Sequence, residues 1–346
     1  MKSLKIAVIG FGNIGQAFVS HCVAHSVRLR EQYNTRLMLV GVADTSGIAV
    51  SAYGLKPLEL LEAKQSGRKM SELDEGMACT SDSYVWRFKS AGANVIIEAL
   101  PSNLDEGLPA YEIIEHAMAE RMHVVTANKG AMLRGLRRLE TAAKEESVGF
   151  GYSATTGGAL PSVSFGVREL AGARVEEISG ILNTTTNFIL SSMEEGRSYE
   201  EALAEAQRLG IAEPNPSQDV DGLDTAAKLV IISNKLMDAD SRLADVSIEG
   251  ITNLEDRLDI PSIKNTGGSV KLIGRATRTD EGIKLKVGPE AVFPGNPFFT
   301  IKGASKAVTY RSDTLGEFTI IEHESSRLTT AAAMYKDMIH IAQEHF

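Results

Sequence analysis

Ile6-Ala7-Val8-Ile9 runs straight into Gly10-Phe11-Gly12-Asn13-Ile14-Gly15. Four apolar residues in a row are the pattern of a parallel strand buried on both faces. The residues that follow, through Ala17, Phe18 and Val23, keep a helical spacing. A glycine triplet alone is weak evidence; strand before and helix after is the context that gives it meaning. The glycines permit a tight turn, let backbone approach a pyrophosphate and pack helix on strand, with the anion on the helix N-terminus. Gly10, Gly12, Asn13, Ile14 and Gly15 are therefore the expected phosphate-side contacts of a dinucleotide.

The rest of the amino-terminal half extends this pattern. A second strand, Leu37-Met38-Leu39-Val40-Gly41-Val42, ends at Asp44. The acid comes later than the usual spacing of about 20 residues, which a longer first helix would explain. Asp44 is expected to accept hydrogen bonds from the adenosine ribose and to repel a 2′-phosphate. Thr45-Ser46-Gly47 offers no arginine to such a phosphate, so NAD is expected in preference to NADP; Lys56 and Arg68 are the bases that would reverse this. Ala93 to Leu100 reads as another buried strand broken by Pro101, which puts Leu100 and Pro101 at the cofactor edge. His123 to Thr126 is the next strand and ends in Ala127-Asn128-Lys129-Gly130. Ligands of open α/β sheets bind outside the carboxyl ends of the strands, where Lys129 falls. Its alternative is an ordinary lysine opening the next helix, although lysine is not favoured there. Val148 to Tyr152 gives a last strand, and Thr155 to Pro161 leads out. Alternating strands and helices predict an α/β fold, a Rossmann-type doubly wound parallel sheet.

Beyond residue 160 the texture changes. Ile178 to Asn183 reads as a strand, with helices near 185–195, 199–209 and 221–237. Two hairpins follow, 270–292 and 306–322, and a closing helix over roughly 327–345. The expected division is a nucleotide-binding domain over 1–154, with the helix at 327–346 packing back on it, and a mixed α+β substrate-binding, catalytic and dimerisation domain over 155–326.

One stretch of the second part carries chemistry. Gly210-Ile211-Ala212-Glu213-Pro214-Asn215-Pro216-Ser217-Gln218-Asp219-Val220-Asp221-Gly222-Leu223-Asp224 is followed one turn later by Lys228. Gly210 ends a helix and the prolines forbid another, so Glu213 is presented on a stiff loop. Asp219 is placed to cap a new helix on which Asp221, Asp224 and Lys228 share a stripe. Asp224 and Lys228 alone read equally as an exposed i,i+4 pair worth about 0.3–0.5 kcal/mol. Carboxylates and a lysine converging beside a stiffened loop point further, to a site for a small, doubly charged polar substrate.

Composition excludes several classes. At 346 residues the chain suits two domains, and its 43% hydrophobic and 23% charged content is ordinary for a globular protein. A net charge of −9 argues against a nucleic-acid surface. No apolar run approaches the roughly 18 residues of a membrane span, and no signal peptide is evident. A cytoplasmic location is expected. His21 and His25 have a zinc-compatible spacing but suggest no third ligand, so no metal is assigned. Cys22 and Cys79 form no motif and are expected as reduced, partly buried thiols.

Taken together, the glycine loop, Thr126-Ala127-Asn128-Lys129, Gly180-Ile181-Leu182-Asn183-Thr184-Thr185-Thr186-Asn187-Phe188-Ile189-Leu190, and the Gly210 to Lys228 stretch resemble homoserine dehydrogenases across essentially the whole chain. The resemblance implies interconversion of L-homoserine and L-aspartate 4-semialdehyde with a nicotinamide cofactor, a step of threonine and methionine biosynthesis, by a homodimer. It implies that Lys228 is the acid/base lysine and Asp224 the aspartate working beside it. It implies further that Glu213 binds the substrate amino group, with Asp219 and Thr185 on the substrate side, and that Lys129 lies near nicotinamide and substrate. The chemistry agrees: alcohol oxidation needs a base while hydride leaves carbon, and a lysine serves if burial or a second cation, such as Lys129 for Lys228, lowers its pKa. Which lysine is the principal proton carrier stays open.

The chain departs from the family at Ser153, where many members carry a glutamate beside a bound sodium ion. It departs also at Thr184, at Asn215, and over Glu322 to Leu328, which replaces a glycine-rich cofactor-facing segment. Alternatives are another amino-acid or semialdehyde dehydrogenase, a non-catalytic NAD-binding regulator and, last, a scaffold. Larger relatives carry regulatory or kinase modules; with none visible here, threonine is expected to inhibit weakly and by competition with homoserine.

Overall fold

The structure is a computed structural model describing residues 1–78, 83–254, 257–323 and 325–346; Cys79 lies outside the described residues. The chain forms two compact units, one of Met1–Gly158 with Arg327–Phe346 and the other of Ala159–Ser326.

The first unit contains, in order, β1 (Lys2–Ile9), α1 (Asn13–Ala24), α2 (Ser26–Tyr33), β2 (Thr35–Asp44), β3 (Gly47–Val50), α3 (Pro57–Gln65), β4 (Gly76–Met77), α4 (Tyr84–Ser90), β5 (Val95–Glu98), α5 (Ala110–Ala119), β6 (His123–Thr126), α6 (Lys129–Glu145), β7 (Phe150–Gly151) and α7 (Ala154–Gly157). Among the described residues the sheet has seven strands in the order β4-β3-β2-β1-β5-β6-β7. The pairs from β2 through β1, β5 and β6 to β7 are parallel, while β3 and β4 add an antiparallel margin. Ile6, Ala7, Val8 and Ile9 are all fully buried, as expected of the strand in the middle of a sheet covered on both faces. The late arrival of Asp44 has a different cause from the one expected. No single long helix precedes β2; α1 stops, His25 follows, and the separate helix α2 supplies the extra residues.

The second unit contains α8 (Ser162–Glu169), β8 (Val175–Ile181), α9 (Thr184–Glu194), α10 (Tyr199–Arg208), α11 (Ser217–Val220), α12 (Leu223–Leu236), β9 (Val246–Ile248), α13 (Ile260–Asn265), β10 (Ser269–Thr279), β11 (Gly282–Val292), β12 (Lys306–Ser312) and β13 (Glu317–Glu322). Its six described strands run β13-β12-β8-β10-β11-β9, antiparallel except for β9 against β11. Both expected hairpins are present. The chain then returns to the first unit as α14 (Arg327–His345), whose Ala331, Met334, Met338 and Ala342 are fully buried in its core. No helix of the described residues is long and apolar enough to cross a membrane.

One helix differs from its expected form. Asp219 does not cap the acidic helix; it lies inside the short α11, and the chain then turns through Gly222, at φ +85, before α12 begins. A left-handed residue interrupts the helix, so Asp221 leaves the stripe and its carboxylate meets Thr252 Oγ1 at 3.1 Å. His21 and His25 stack on one another at 4.2 Å between ring centroids and on Tyr335, a packed aromatic group.

The glycine turn separates packing from openness. A Cβ on Gly15 would stand 2.3 Å from the Gly10 carbonyl oxygen, whereas one on Gly12 would meet nothing within 4 Å. Gly15→Ala should therefore cost about 1–3 kcal/mol of stability, the range for overpacking a tight contact. Gly12→Ala should melt close to the wild type. Thermal denaturation of the two variants side by side checks this, and equal losses would contradict it.

Candidate active site

In the first unit, polar groups gather at the carboxyl ends of β1, β2, β5 and β6. Gly12 precedes α1 in extended conformation and, having no side chain, leaves the first amides of the helix uncapped. Free amides at a helix N-terminus beside an open glycine fit a pyrophosphate. Asp44 closes β2. It accepts from Ser46 N at 2.7 Å and Ser46 Oγ at 2.5 Å, and it is ion-paired with Lys64 of α3. Burial pushes this carboxyl up, but the Lys64 and Ser46 hydrogen bonds outweigh it and hold Asp44 below the usual range. The base beside Asp44 is thus neither Lys56, which pairs with Glu59 at 2.8 Å, nor Arg68, which donates to the Glu72 carbonyl at 3.2 Å. Lys64 lies 20 residues along the chain, and only the fold of α3 brings it there.

Glu98, at the end of β5, is fully buried. It accepts from Thr126 Oγ1, from Leu100 N at 2.8 Å and from Asn128 Nδ2 at 3.3 Å. Asn128 also donates to the carbonyls of Leu100 at 3.2 Å and Pro101 at 3.3 Å, and its Oδ1 caps α6 at Ala131 N, 3.2 Å away. Lys129 is the first residue of that helix, its amide bonded to Ser102 Oγ at 3.0 Å. One buried carboxylate thereby ties the two loops that carry Leu100, Pro101 and Lys129. Burial pushes Glu98 up to about 7 against the pull of these hydrogen bonds.

The second unit gathers Asp219, Asp224, Lys228 and Thr185 around Asn183. Asn183 ends the segment after β8 and caps α9, its Oδ1 accepting from Thr186 N at 2.9 Å. Its Nδ2 donates to Asp219 Oδ1 at 2.6 Å and Asp224 Oδ2 at 2.8 Å. Lys228 donates to Asp224 Oδ2 at 2.6 Å and to the Leu182 carbonyl at 2.7 Å. The side chains of Lys228 and Asp224 are only 13% and 8% exposed, so the solvated surface pair is the wrong description. Burial, then the nearby Asp224 charge, raises Asp219 despite the opposing Asn183, Lys228 and Thr185. Thr185 Oγ1 also reaches the Ile211 carbonyl at 3.2 Å. Glu213 is exposed on its proline loop, with its carbonyl held by Gln207 Nε2 at 3.2 Å.

A family model for homoserine dehydrogenase matches residues 161–339. A homoserine dehydrogenase of Methanocaldococcus jannaschii is 35% identical over 340 residues, covering 98% of each chain. The chain belongs to the homoserine dehydrogenase family. An NAD(+)-dependent homoserine dehydrogenase of Pseudomonas canavaninivorans is 34% identical over 99% of this chain and 97% of its own. The crystal structure of a homoserine dehydrogenase from Thiobacillus denitrificans matches with TM-score 0.82 at 26% identity, over 100% of this chain and 74% of that one. The enzyme is accordingly an NAD(P)-dependent oxidoreductase that interconverts L-homoserine and L-aspartate 4-semialdehyde, and the alternative of a non-catalytic regulator is not favoured.

Sequence reading missed five residues of these clusters. Asn183 lay inside a quoted motif without a role, and Glu98 was visible as a lone carboxylate in an apolar strand. Lys64 and Lys306 gave no signal, and Glu322 none of its partner, because only tertiary contact brings Lys64 to Asp44 and Lys306 to Glu322, the latter pair 3.1 Å apart. At Ser153, both N and Oγ donate to Asp337, at 2.8 and 2.7 Å, so that carboxylate is held from within the chain.

The raised Glu98 implies a pH dependence of stability with a definite sign. Its folded pKa of about 7 exceeds the ordinary glutamate value of 4.5, so the folded state holds a proton that the unfolded state has already lost. Stability should fall by about 3 kcal/mol as pH rises from 4.5 through 7. Glu98→Gln should remove that slope, as read from urea midpoints at pH 5 and pH 8. Parallel loss in both proteins would contradict it.

Proposed function

We propose that Lys228 carries the proton in the oxidation of homoserine, with Asp224 fixing its ammonium. The observation that supports this is the pinning of Lys228 between a backbone carbonyl and a buried carboxylate. An ammonium has three hydrogens, and these two bonds leave one direction for the substrate hydroxyl. A nicotinamide cofactor held at the glycine turn and at Leu100 and Pro101 would supply the hydride acceptor for the carbinol carbon. Neutral Lys228 takes the hydroxyl proton as that C–H bond breaks, and in reduction its ammonium returns the proton to the forming alkoxide. Glu213 is assigned to the substrate ammonium, with Asp219 and Thr185 lining the same side. Gly10, Gly12, Asn13, Ile14 and Gly15 are assigned to the pyrophosphate, Leu100 and Pro101 to the nicotinamide end, and Lys129 to the junction of cofactor and substrate.

Preference for NAD over NADP rests on the Asp44 carboxylate, now qualified by Lys64. Lys64 is spent on Asp44 rather than offered to a phosphate, so the pair presents no free positive charge. That the Pseudomonas relative is an NAD(+)-dependent homoserine dehydrogenase supports the same reading. A homodimer is proposed with it, supported by exposed Phe318 and Ile321 on the edge strand β13, and checked by light scattering. A cytoplasmic location completes the reading, to be checked by cell fractionation.

Purified protein should form NADH from L-homoserine and NAD at alkaline pH. Lys228→Ala should lower kcat by about a hundredfold or more while cofactor affinity stays within a few-fold; near-normal turnover would reassign the proton to another group. Asp44→Ser removes the repelling charge and releases Lys64. Its ratio of kcat/KM for NADP over NAD should rise by roughly tenfold or more, equivalent to about 1.4 kcal/mol. An unchanged ratio would show that neither residue meets the ribose.

A further inference from the structure

We infer that Asn183 is a positioning residue for this reaction: its amide keeps Asp219 from competing for the Lys228 ammonium, which therefore stays aimed at the substrate hydroxyl. The inference rests on the assignment of proton transfer to Lys228.

Asn183 follows β8, precedes α9 and is only 4% exposed. An amide has two N–H donors and an oxygen with two lone pairs, and this one uses all four. Oδ1 accepts from Thr186 N at 2.9 Å and from Thr186 Oγ1 at 3.1 Å. Nδ2 donates to Asp219 Oδ1 at 2.6 Å and to Asp224 Oδ2 at 2.8 Å. The reverse orientation would set the amide oxygen against two carboxylates and its hydrogens against a backbone N–H, so only this one serves. Asp224 Oδ2 is also the oxygen that accepts from Lys228, at 2.6 Å. Thr185 donates to Asp219 as well. A continuous line of hydrogen bonds therefore runs from Thr185 through Asp219, Asn183 and Asp224 to Lys228.

That line matters because two carboxylates share one nitrogen, with a single ammonium beside them. Two like charges so close repel, and a lysine bridging both would relieve the repulsion. Such a bridge would take the hydrogen that Lys228 otherwise directs at the substrate, since its other two go to Asp224 and to the Leu182 carbonyl. Asn183 removes the competition. A neutral donor satisfies Asp219 without adding a cation, and the ammonium keeps its two bonds and its third direction. Helix capping alone does not call for this residue. Serine and aspartate cap a helix about as well as asparagine, yet neither brings two N–H donors. What asparagine adds at the start of α9 is the bridge between the two carboxylates.

The test is a cycle of kcat and KM for homoserine oxidation with NAD in the wild type, Asn183→Ser, Asp219→Asn and the double variant, each measured below its melting transition. Asn183→Ser keeps the cap of α9 and loses both N–H donors. It should lower kcat by about tenfold or more while KM for NAD stays within a few-fold. With Asp219→Asn already made, the competing charge is gone, and the same substitution should cost less than about threefold. A residue that only supports α9 would lower the melting temperature and leave kcat of the folded protein in place. A kcat for Asn183→Ser within about twofold of wild type, or an equal loss in both backgrounds, would overturn the inference while leaving the Lys228 assignment standing. Near-normal turnover by Lys228→Ala would overturn both. Should Asn183→Ser not fold, Asn183→Asp decides. It caps as well but sets a third carboxylate in the site, whereas Asn183→Asp combined with Asp219→Asn restores two carboxylates and one amide. The exchange should recover about tenfold of the kcat lost by Asn183→Asp alone, and no recovery would overturn the inference.

Discussion

The amide of Asn183 is the interaction on which the second unit's chemistry depends. A single side chain caps α9 with its oxygen and divides its two N–H bonds between Asp219 of α11 and Asp224 of α12. Both carboxylates sit within reach of one neutral donor, and their mutual repulsion is what raises Asp219 after burial has done so. Among the described residues, Lys228 donates to one carboxylate, that of Asp224, and to one carbonyl, that of Leu182. Three short segments are oriented together because one amide is fully used. An unsatisfied partner in so buried a network would cost more than the bond itself contributes.

The first unit solves a related problem with Glu98. Two loops at the carboxyl edge of a parallel sheet must be held rigid, and their backbone groups need partners away from water. A carboxylate brought up from inside the sheet supplies acceptors for Thr126, Leu100 and Asn128. Asn128 then passes the constraint to α6 and so to Lys129. Burial of this acid weakens its charge, and the loops are organised partly by a group that is easily neutralised. The pair Asp44–Lys64 differs in kind. There the cation arrives from α3 and keeps the carboxylate ionised.

Much of this was legible along the chain. The fully apolar run of β1 and the glycines after it require a buried central strand and a phosphate-sized turn. The two hairpins and the place of α10 in the chain were legible as well. Boundaries and breaks were less legible. Gly222 was read as a residue within a continuing helix, and its left-handed φ, which removes Asp221 from the stripe, depends on the packing of α11 and α12. The long first helix proved to be two, parted at His25.

What the sequence determined by itself is the set of local rules: where backbone must turn, which strands are buried on both faces, and which stretch gathers carboxylates beside a lysine. These follow from sterics and periodicity, which act over a few residues. Tertiary structure alone decided which charges meet. Lys64 reaches Asp44 across 20 residues, and Asn183 reaches Asp224 across 41. Lys306 meets Glu322 because two strands pair in one register. Coulomb attraction and desolvation depend on distance and burial in space, and neither is written in the spacing of residues along a chain.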